Sequence, residues 1–298
     1  MSKLRLGLEW FLNPDHVPLL VGLEKGWFAA AGLELELVEP TEHFDAIAAM
    51  QSGEIDLAVT EPIHLVDDRG KGLPVVGWAR FLHTNGGVMY FKGTHIERPR
   101  DMVGKRIQYP GAPGPVGMAI ARTMIEKDGG VYHDGDLTPV DNGFFHTNAL
   151  IEDKADIATL VFYNFEVIEA RHRGHDADFF ALKDWGVPDF CQLILISTPE
   201  ALRQRQPEFQ AFLSVLRRGI DFIHQHPDEA RDIYDQRTGA YSGDAIGKAI
   251  YEATVPCFTH DFSMAMDYYD RLQHWMHATG QLADVLEPGA YWTNALAL

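Results

Sequence analysis

The chain has 298 residues, of which 46% are hydrophobic and 23% are charged. This length suits one large α/β domain or two lobes of ordinary size, and no apolar run is long enough to predict a membrane span. The formal net charge of −18 argues against nucleic acid as a partner, because such binding needs Lys and Arg side chains that neutralise phosphates. We therefore expect a small-molecule ligand, no nucleic acid and no membrane insertion.

The spacing of apolar residues predicts two consecutive βαβ units at the start of the chain. The predicted elements are a strand at 3–8, a helix at 16–31, a strand at 33–38, a helix at 44–53 and a strand at 55–59. Gly32 and Gly53 follow the two helices as stop signals. Strands that alternate with helices are typical of an α/β fold with a mainly parallel sheet, whose ligands bind at the carboxyl ends of the strands.

The same order begins again in the middle of the chain. Strand patterns at 87–93 and 105–111 lead into a turn rich in Gly and Pro and then into a helix at 118–129. The stretch ALIEDKADIATLVF (149–162) then repeats the order of AMQSGEIDLAVTEP (49–62): a helix end, a short turn, an acidic residue, an apolar strand and a polar exit. Two similar halves indicate two lobes, each with a mainly parallel sheet flanked by helices.

The last third of the chain returns to the first lobe. A strand pattern at 192–198 precedes a strongly helical stretch over 199–234, in which Pro199 and Pro207 occupy first-turn positions. The predicted parts are lobe I at 1–87 and 193–298, lobe II at 88–192, and hinge strands near 84–88 and 192–197. We expect the ligand cleft to lie between the lobes.

Aromatic and acidic residues follow several of the predicted strands. Any one of them is more often part of a core or an ion pair than a ligand contact. Aromatic residues at three successive strand ends nevertheless favour a planar ligand, and nearby carboxylates could accept hydrogen bonds from its amino groups. The candidates are Trp10, Tyr109, Phe162, Tyr163 and Phe165 among the aromatic residues, and Glu9, Glu61 and Glu166 among the acidic ones.

The turn GAPGPVG (111–117) lies between a predicted strand and a predicted helix. Its backbone N–H groups at the positive end of a helix could hold a phosphate or a carboxylate, although a plain turn would use the same residues. The turn matches no nucleotide-binding fingerprint. Gly111 and Gly114 are therefore candidate contacts for an anionic group.

His64 closes the polar cluster Thr60-Glu61-Pro62-Ile63-His64 after a predicted strand. Imidazole is a common acid or base, but the chain has no nucleophile elbow, no HExxH motif and no CxxC motif near it. We therefore interpret Thr60, Glu61 and His64 as one wall of a binding pocket and predict no catalytic residue.

Neither a metal site nor a disulfide scaffold is predicted. Cys191 and Cys257 are too few and too far apart for a scaffold or a zinc knuckle. Surface histidines are the commoner interpretation of the pairs that could bind a metal, which are His224 with His226 and His274 with His277. The start MSKLRLGLEWF lacks the apolar run of a secretory signal, which predicts a cytoplasmic location, or a periplasmic one if a leader has been removed.

Three stretches carry a family resemblance. They are Trp10-Phe-Leu-Asn13-Pro-Asp-His16, Gly26-Trp-Phe28-Ala-Ala-Ala-Gly32-Leu and Ser52-Gly-Glu-Ile-Asp56. The chain resembles the SsuA/THI5-like family that unites periplasmic binding proteins for thiamine-pyrimidine precursors with the fungal-type hydroxymethylpyrimidine phosphate synthases. The resemblance implies a type 2 periplasmic-binding-protein fold, in which two α/β lobes close on a ligand.

The resemblance also implies site residues. Phe162-Tyr163-Asn164-Phe165-Glu166 is similar to an aromatic-x-Asn-aromatic-Glu stretch of the pyrimidine-binding members. By this similarity Glu166 would hold the amino-pyrimidine edge, with Trp10 and the aromatic residues of 162–165 against its ring. The motif that contains Trp10 makes His16 a further candidate contact. A phosphate on the ligand would fall on Gly111–Gly114.

The chain departs from the synthases at two places. In the synthases, the strand that matches 55–59 leads to a lysine that carries pyridoxal phosphate and, four residues on, to a histidine that is consumed as substrate. Here Thr60 occupies the lysine position and His64 the histidine position, and threonine has no amine for a Schiff base. The cysteine-rich run that binds iron is reduced to Cys191. The synthase reaction and its cofactors are therefore not expected.

These observations predict a solute-binding protein that closes on a small planar ligand. The expected ligand is a thiamine-related pyrimidine, whose phosphorylation the sequence leaves open. The expected role is the substrate-binding component of an ABC transporter, with an ABC permease as the candidate protein partner and no cofactor. The alternative is a cytoplasmic enzyme or sensor of thiamine or pyrimidine metabolism, with Glu61 or His64 as acid or base.

Overall fold

The structure, a computed structural model, describes residues 1–40, 45–239, 244–287 and 289–297. Residue contacts divide the chain into two compact units. Unit 1 comprises Met1–His83, Gln192–Gln273 and Asp284–Leu298, and unit 2 comprises Thr84–Cys191 and His274–Ala283. The cleft expected between two lobes stays a prediction.

Ten strands occur among the described residues, and they form two sheets. They are β1 (Ser2–Gly7), β2 (Leu33–Val38), β3 (Leu57–Thr60), β4 (Val76–His83), β5 (Gly86–Phe91), β6 (Arg106–Gln108), β7 (Thr138–Val140), β8 (Ile157–Phe162), β9 (Ala177–Ala181) and β10 (Gln192–Ser197).

Twelve α-helices occur in the same described ranges, together with several single turns of 3₁₀ or π-helix. They are α1 (Val17–Glu24), α2 (Trp27–Ala30), α3 (Ala46–Ser52), α4 (Pro62–Gly70), α5 (Pro115–Lys127), α6 (His146–Ile151), α7 (Ile168–His172), α8 (Pro199–Gln204), α9 (Gln206–Gln225), α10 (Pro227–Thr238), α11 (Ala245–Thr254) and α12 (Met266–Ala278).

Each unit contains one sheet with the same arrangement. The strand orders are β2-β1-β3-β10-β4 in unit 1 and β7-β6-β8-β5-β9 in unit 2. In both sheets the first three strands are parallel, and the fourth, β10 or β5, is antiparallel to both of its neighbours. The predicted α/β fold with two mainly parallel sheets is confirmed.

The antiparallel strands start at the edge where their neighbours end. Gly86 of β5 pairs with Phe162, the last residue of β8, and Gln192 of β10 pairs with His83, the last residue of β4. The residues just before these two strands therefore join the carboxyl ends of the parallel strands, where ligands bind in such sheets.

The internal repeat predicted for 49–62 and 149–162 is confirmed by its hydrogen bonds. In unit 1, Oδ2 of Asp56 accepts from the backbone N–H of Arg5 at 2.8 Å and from Nε of Arg5 at 3.1 Å. In unit 2, Oδ2 of Asp156 accepts from the same two groups of Arg106 at 2.7 and 3.1 Å. Each aspartate ties the corner before one strand to the parallel strand beside it.

The helix predicted over 16–31 is interrupted. A 3₁₀ turn precedes α1, and the chain breaks at Gly26, whose φ of 65° is left-handed, before α2 begins. Glycine adopts this conformation without steric cost, so the helix can break at Gly26. The apolar periodicity continues on both sides of the break and therefore does not reveal it. Gly53 ends α3 with a φ of 75°, as predicted, whereas Phe44 of that predicted helix lies outside the described residues.

The helical stretch predicted over 199–234 consists of three helices. α8, α9 and α10 follow one another with breaks at Arg205 and His226. Pro199 and Pro207 occupy first-turn positions as predicted, and Pro227 begins the third helix in the same way. If α9 continued past His226, the N–H of residue 227 would donate to a carbonyl oxygen of the preceding turn. Proline has no N–H, so Pro227 explains the break at His226.

The core of unit 1 lies between the sheet and helices α1 and α9. Trp78 of β4 is fully buried and stacks on Phe209 of α9, with ring centroids 5.0 Å apart. A Cβ atom on Gly219 of α9 would lie 2.4 Å from the carbonyl oxygen of Pro18 in α1. Only glycine permits this close approach of the two helices.

We expect Asp156→Asn to lower the free energy of unfolding by about 1–2 kcal/mol, because an amide replaces a carboxylate that accepts from both the backbone and the guanidinium of Arg106. Urea unfolding measures this change. Asp153→Asn is the matched control, since Asp153 contacts the same guanidinium but its side chain is 90% exposed, and its expected loss is below about 0.5 kcal/mol. Equal losses in the two variants would contradict the role given to Asp156.

Candidate functional site

The loop that leaves β1 carries Glu9, Trp10 and His16. His16 is completely buried, and its Nε2 lies 3.2 Å from a carboxylate oxygen of Glu9. Its Nδ1 accepts a hydrogen bond from the backbone N–H of Asn13 at 3.3 Å, and the side chain of Asn13 accepts one from the N–H of Asp15 at 2.8 Å. These bonds fix the loop, so His16 positions Glu9 at the strand exit.

Trp10 is half-buried in this loop beside Phe11. The two ring centroids lie 4.2 Å apart, and Phe11 is 47% exposed. The exit of β1 therefore presents an aromatic pair next to the carboxylate of Glu9, a combination that suits a planar ligand with amino groups.

Asp15 brings a buried carboxyl group into the same loop. Its side chain is 2% exposed, and its Oδ1 makes no hydrogen bond within the described part of the chain. Burial, with a further contribution from the carboxylate of Glu9, raises the pKa of Asp15 to about 7. Burial opposes the charged form of His16, but the charge and hydrogen bond of Glu9 outweigh it, so the pKa of His16 is raised.

The exit of β3 presents a hydroxyl, a carboxylate and an imidazole. Thr60 ends the strand and is nearly buried, and its Oγ1 lies 3.3 Å from Nδ1 of His64, which is exposed. Glu61 is half-buried and is the residue from which α4 begins. The contact with Thr60 holds the imidazole of His64 against the strand end.

The exit of β8 is one turn of π-helix, Tyr163–Val167. The N–H of Phe162 donates to Oε2 of Glu166 at 2.9 Å, and the hydroxyl of Thr84 donates to Oδ1 of Asn164 at 2.6 Å. Glu166 and Asn164 are 7% and 2% exposed. The turn is therefore fixed by its own side chains and by the segment before β5, and it holds the carboxylate of Glu166 at the end of the strand.

Tyr163 is the exposed aromatic residue of this turn. Its backbone N–H donates to the carbonyl oxygen of Asn85 at 2.9 Å. Its ring lies 5.2 Å from that of Phe179, and Nη1 of Arg171 donates to its hydroxyl at 3.2 Å. Tyr163 is 37% exposed, so its ring packs against Phe179 while part of the side chain stays open to solvent.

Tyr109 and the glycine-rich turn form one rigid unit. Tyr109 is 1% exposed, its hydroxyl donates to the carbonyl oxygen of Gly114 at 2.7 Å, and burial raises its pKa to about 12. Gly117 packs directly against its ring, where a Cβ atom would come within 2.4 Å. Tyr109 therefore shapes the turn from the inside.

The amides of the turn are partly used within it. The N–H of Ala112 donates to the carbonyl oxygen of Tyr109 at 3.3 Å, and that of Gly114 donates to Gly111 at 2.8 Å. Pro115, the first residue of α5, has no N–H. An anion at this helix end would therefore depend on the amides of the two residues that follow Pro115. Contact of Gly111 and Gly114 with a ligand stays a prediction.

Thr84 and Asn85 join the site although the sequence did not single them out. They precede β5, whose antiparallel direction places them beside the ends of β8 and β9. The oxygen Oδ1 of Asn85 is buried and has no hydrogen-bond partner in the described residues. The predicted hinge near 84–88 was the only signal in the sequence that pointed to them.

Two histidines of the candidate metal-binding pairs have neighbours outside those pairs. The ring of His224 lies 5.8 Å from that of His260, and Nδ1 of His277 lies 3.0 Å from the carbonyl oxygen of Leu282. Within the described ranges, no three His, Cys, Asp or Glu side chains are placed together to bind a metal ion. The helices of those ranges are also too short or too polar to cross a membrane.

The chain has the fold of periplasmic binding proteins. The alkanesulfonate-binding protein SsuA from Xanthomonas axonopodis pv. citri, solved bound to MOPS, superposes with a TM-score of 0.74 over 98% of each chain. The sequence identity is 13%, so this likeness concerns the fold alone.

The chain belongs to the NMT1/THI5-like family, whose sequence profile matches residues 13–230. It is 33% identical to the formylaminopyrimidine-binding protein of Halalkalibacterium halodurans over 234 residues, and these residues cover 78% of this chain and 70% of that protein. It is 28% identical to the 4-amino-5-hydroxymethyl-2-methylpyrimidine phosphate synthase of Legionella pneumophila over 267 residues, and these residues cover 87% of this chain and 80% of that protein. The resemblance noted in the sequence is thereby confirmed.

We expect Asp15→Asn to flatten the pH dependence of stability between about pH 4 and pH 7. The folded protein keeps a proton on Asp15 up to about pH 7, whereas the unfolded chain loses it near the ordinary pKa of 3.8. The free energy of unfolding of the wild type therefore falls as the pH rises through this window. At pH 8 the variant should be more stable by about 1–3 kcal/mol, because it buries no charge.

Thermal unfolding measured from pH 4 to pH 8.5 tests this expectation. The control is Asp267→Asn, which changes the net charge equally at a side chain that is 76% exposed and should leave the profile unchanged. A profile for Asp15→Asn that coincides with the wild-type profile would show that the carboxyl does not titrate as described.

Proposed function

We propose that this protein is a solute-binding protein whose ligand is a thiamine-related pyrimidine in its unphosphorylated form. The observation that carries the proposal is the composition of the strand exits, where aromatic and acidic side chains occur together without Lys or Arg. The relative in Halalkalibacterium halodurans that is named as a formylaminopyrimidine-binding protein supports the same class of ligand.

The strand exits favour an uncharged ligand or one that carries positive charge. Lys and Arg are absent from the described segments that follow the three adjacent parallel strands of each sheet, namely 8–16, 39–40, 61–64, 109–117, 141–147 and 163–167. Glu9, Glu61 and Glu166 lie in these segments. These segments therefore supply carboxylates and no cation of their own to a phosphate ester, and like charges that face each other in a binding site oppose binding.

Glu166 is the residue best placed to select amino groups. The N–H of Phe162 donates to one oxygen of its carboxylate, which orients the group at the end of β8. An aminopyrimidine presents N–H donors in the plane of its ring, and hydrogen bonds from them to a carboxylate are charge-assisted. Tyr163, next to this carboxylate in the turn, offers an exposed ring for stacking on the same ligand.

The residues at the exit of β3 do not favour an enzyme. The hydroxyl of Thr60 lies 3.3 Å from the imidazole of His64. A hydroxyl cannot form a Schiff base with a carbonyl cofactor, as an amine at this position would. His64 is exposed, and an imidazole held by a hydroxyl is suited to contact a ligand. We therefore assign Thr60, Glu61 and His64 to binding.

We further infer a role as the substrate-binding component of an ABC transporter, with an ABC permease as its protein partner. The periplasmic-binding-protein fold supports this role. Deletion of the gene should abolish uptake of a labelled pyrimidine by cells, and unchanged uptake would oppose the role.

In a thermal-shift and calorimetric screen, we expect unphosphorylated aminopyrimidines to raise the melting temperature, because a ligand that binds only the native state stabilises it. The matched comparison is 4-amino-5-hydroxymethyl-2-methylpyrimidine against its phosphate ester and against an alkanesulfonate. We expect at least tenfold weaker binding of the phosphate ester and no shift with the sulfonate. Tighter binding of either anion would contradict the proposed class of ligand.

We expect Glu166→Gln to weaken binding of the same pyrimidine by about tenfold or more, since a neutral acceptor replaces a charged one. The amide oxygen of Gln can still accept from Phe162, so the turn should keep its structure. The control is Glu169→Gln, which removes a carboxylate of α7 that pairs with Arg173. This variant should bind the pyrimidine as the wild type does. Unchanged affinity in Glu166→Gln would exclude Glu166 as the amino-group acceptor.

A further inference from the structure

The segment 142–147, between β7 and α6, is held at the carboxyl edge of the sheet of unit 2. Gln108, the last residue of β6, is completely buried and binds this segment with both ends of its amide. Its Nε2 donates to the carbonyl oxygen of Gly143 at 2.8 Å, and its Oε1 accepts from the N–H of Asn142 at 2.8 Å. A buried side chain that satisfies two backbone groups of a loop fixes the position of that loop.

This fixed segment exposes an aromatic ring. Phe145 is 66% exposed, although it directly precedes a helix whose first two residues are buried. The N–H of Phe145 donates to the carbonyl oxygen of Asn142 at 3.3 Å, so its backbone is anchored while its ring remains in solvent. An exposed aromatic ring on an anchored loop at the carboxyl edge of the sheet is available to stack on a planar ligand.

The next residue, His146, is buried, and one of its ring nitrogens lacks a hydrogen-bond partner among the described residues. It is 3% exposed, and its Nδ1 makes no hydrogen bond to any described residue. Burial lowers the pKa of His146 to about 4, so the imidazole is neutral at physiological pH and has one N–H donor and one acceptor nitrogen. The hydroxyl of Thr147 is also buried without a partner. Native proteins satisfy such groups with rare exceptions, which call for an explanation.

The helix that begins with His146 belongs to the same edge as the π-helical turn. α6 packs against β8 and against Tyr163–Val167, the turn that carries Asn164 and Glu166. The unpartnered imidazole therefore lies on the element beside the carboxylate that we assign to amino groups. None of the predicted ligand contacts came from the 142–147 segment.

We propose that the 142–147 segment is a second ligand-contacting surface of unit 2, in which the ring of Phe145 stacks on the heterocycle and His146 forms a hydrogen bond with an uncharged substituent of it. This inference rests on the proposed function. It accounts for the exposed ring of Phe145 and for the buried Nδ1 of His146, which has no partner among the described residues. A neutral imidazole also agrees with an uncharged substituent, since it adds no charge to the edge.

Calorimetric titration of the full chain with 4-amino-5-hydroxymethyl-2-methylpyrimidine tests the stacking. Phe145→Ala should weaken binding at least tenfold, and Phe145→Trp should restore it to within about threefold of the wild type. Val131→Ala is the control, because Val131 is a 68% exposed apolar residue that precedes β7 at the opposite end of the strand. Equal affinity of Phe145→Ala and wild type would overturn the stacking role.

His146→Leu tests the hydrogen bond with two separate readouts. Leucine removes an unpartnered buried polar group, so the melting temperature of the ligand-free variant should equal or exceed that of the wild type. Its affinity for the pyrimidine should fall at least tenfold. Unchanged affinity, whether the melting temperature rises or falls, would overturn the role of His146.

The binding measurements distinguish failure of the 142–147 contact from failure of the proposed function. If the wild type binds the pyrimidine and both variants bind it equally well, the 142–147 segment is not part of the site and the proposed function stands. If the wild type does not bind the pyrimidine at all, both the proposed function and this inference are overturned.

Discussion

The carboxylates of Asp56 and Asp156 are the constraint on which the strand exits of both units depend. Each accepts hydrogen bonds from the backbone N–H and the guanidinium of an arginine on the adjacent parallel strand. A slip of one residue between parallel strands would turn every side chain to the other face of the sheet. A fixed register therefore decides which side chains emerge at the carboxyl ends, and the same device serves both halves of the chain.

At those ends the protein concentrates polar groups that are costly to bury. Glu9, Asp15 and His16 share one loop, and Glu166 lies in a π-helical turn whose neighbours hold it in place. Burial raises the free energy of each charge, so these groups persist only where hydrogen bonds or a ligand compensate them. The segments that follow the parallel strands of each unit contain no Lys or Arg among the described residues, and the proposed preference for an amino-bearing heterocycle over an anion rests on this composition.

Much of the candidate site was visible before the fold was known, because it follows strand ends. The segment 162–166 was recognised from its own aromatic and acidic residues, and the structure places Glu166 and Asn164 in a fixed turn. Exposure was not predictable from local sequence. Tyr109 and His16 are buried within their own loops, whereas Phe145 is in solvent. Tyr109 and His16 are held by hydrogen bonds to Gly114 and Glu9. The loop that carries Phe145 is held by Gln108, which is distant in sequence.

The sequence by itself determined the α/β alternation, the internal repeat and the family, because these depend on local periodicity and on short motifs within single loops. It also determined the acidic and aromatic character of the exits. The tertiary structure decided the breaks at Gly26 and His226, the antiparallel direction of β5 and β10, and the arrival of Thr84 and Asn85 beside the end of β8. The strand directions and the contacts of Thr84 and Asn85 depend on hydrogen bonds between residues far apart in the chain, which periodicity and composition do not encode. The two breaks are local, at a left-handed glycine and before a proline, and they interrupt helices whose apolar periodicity continues.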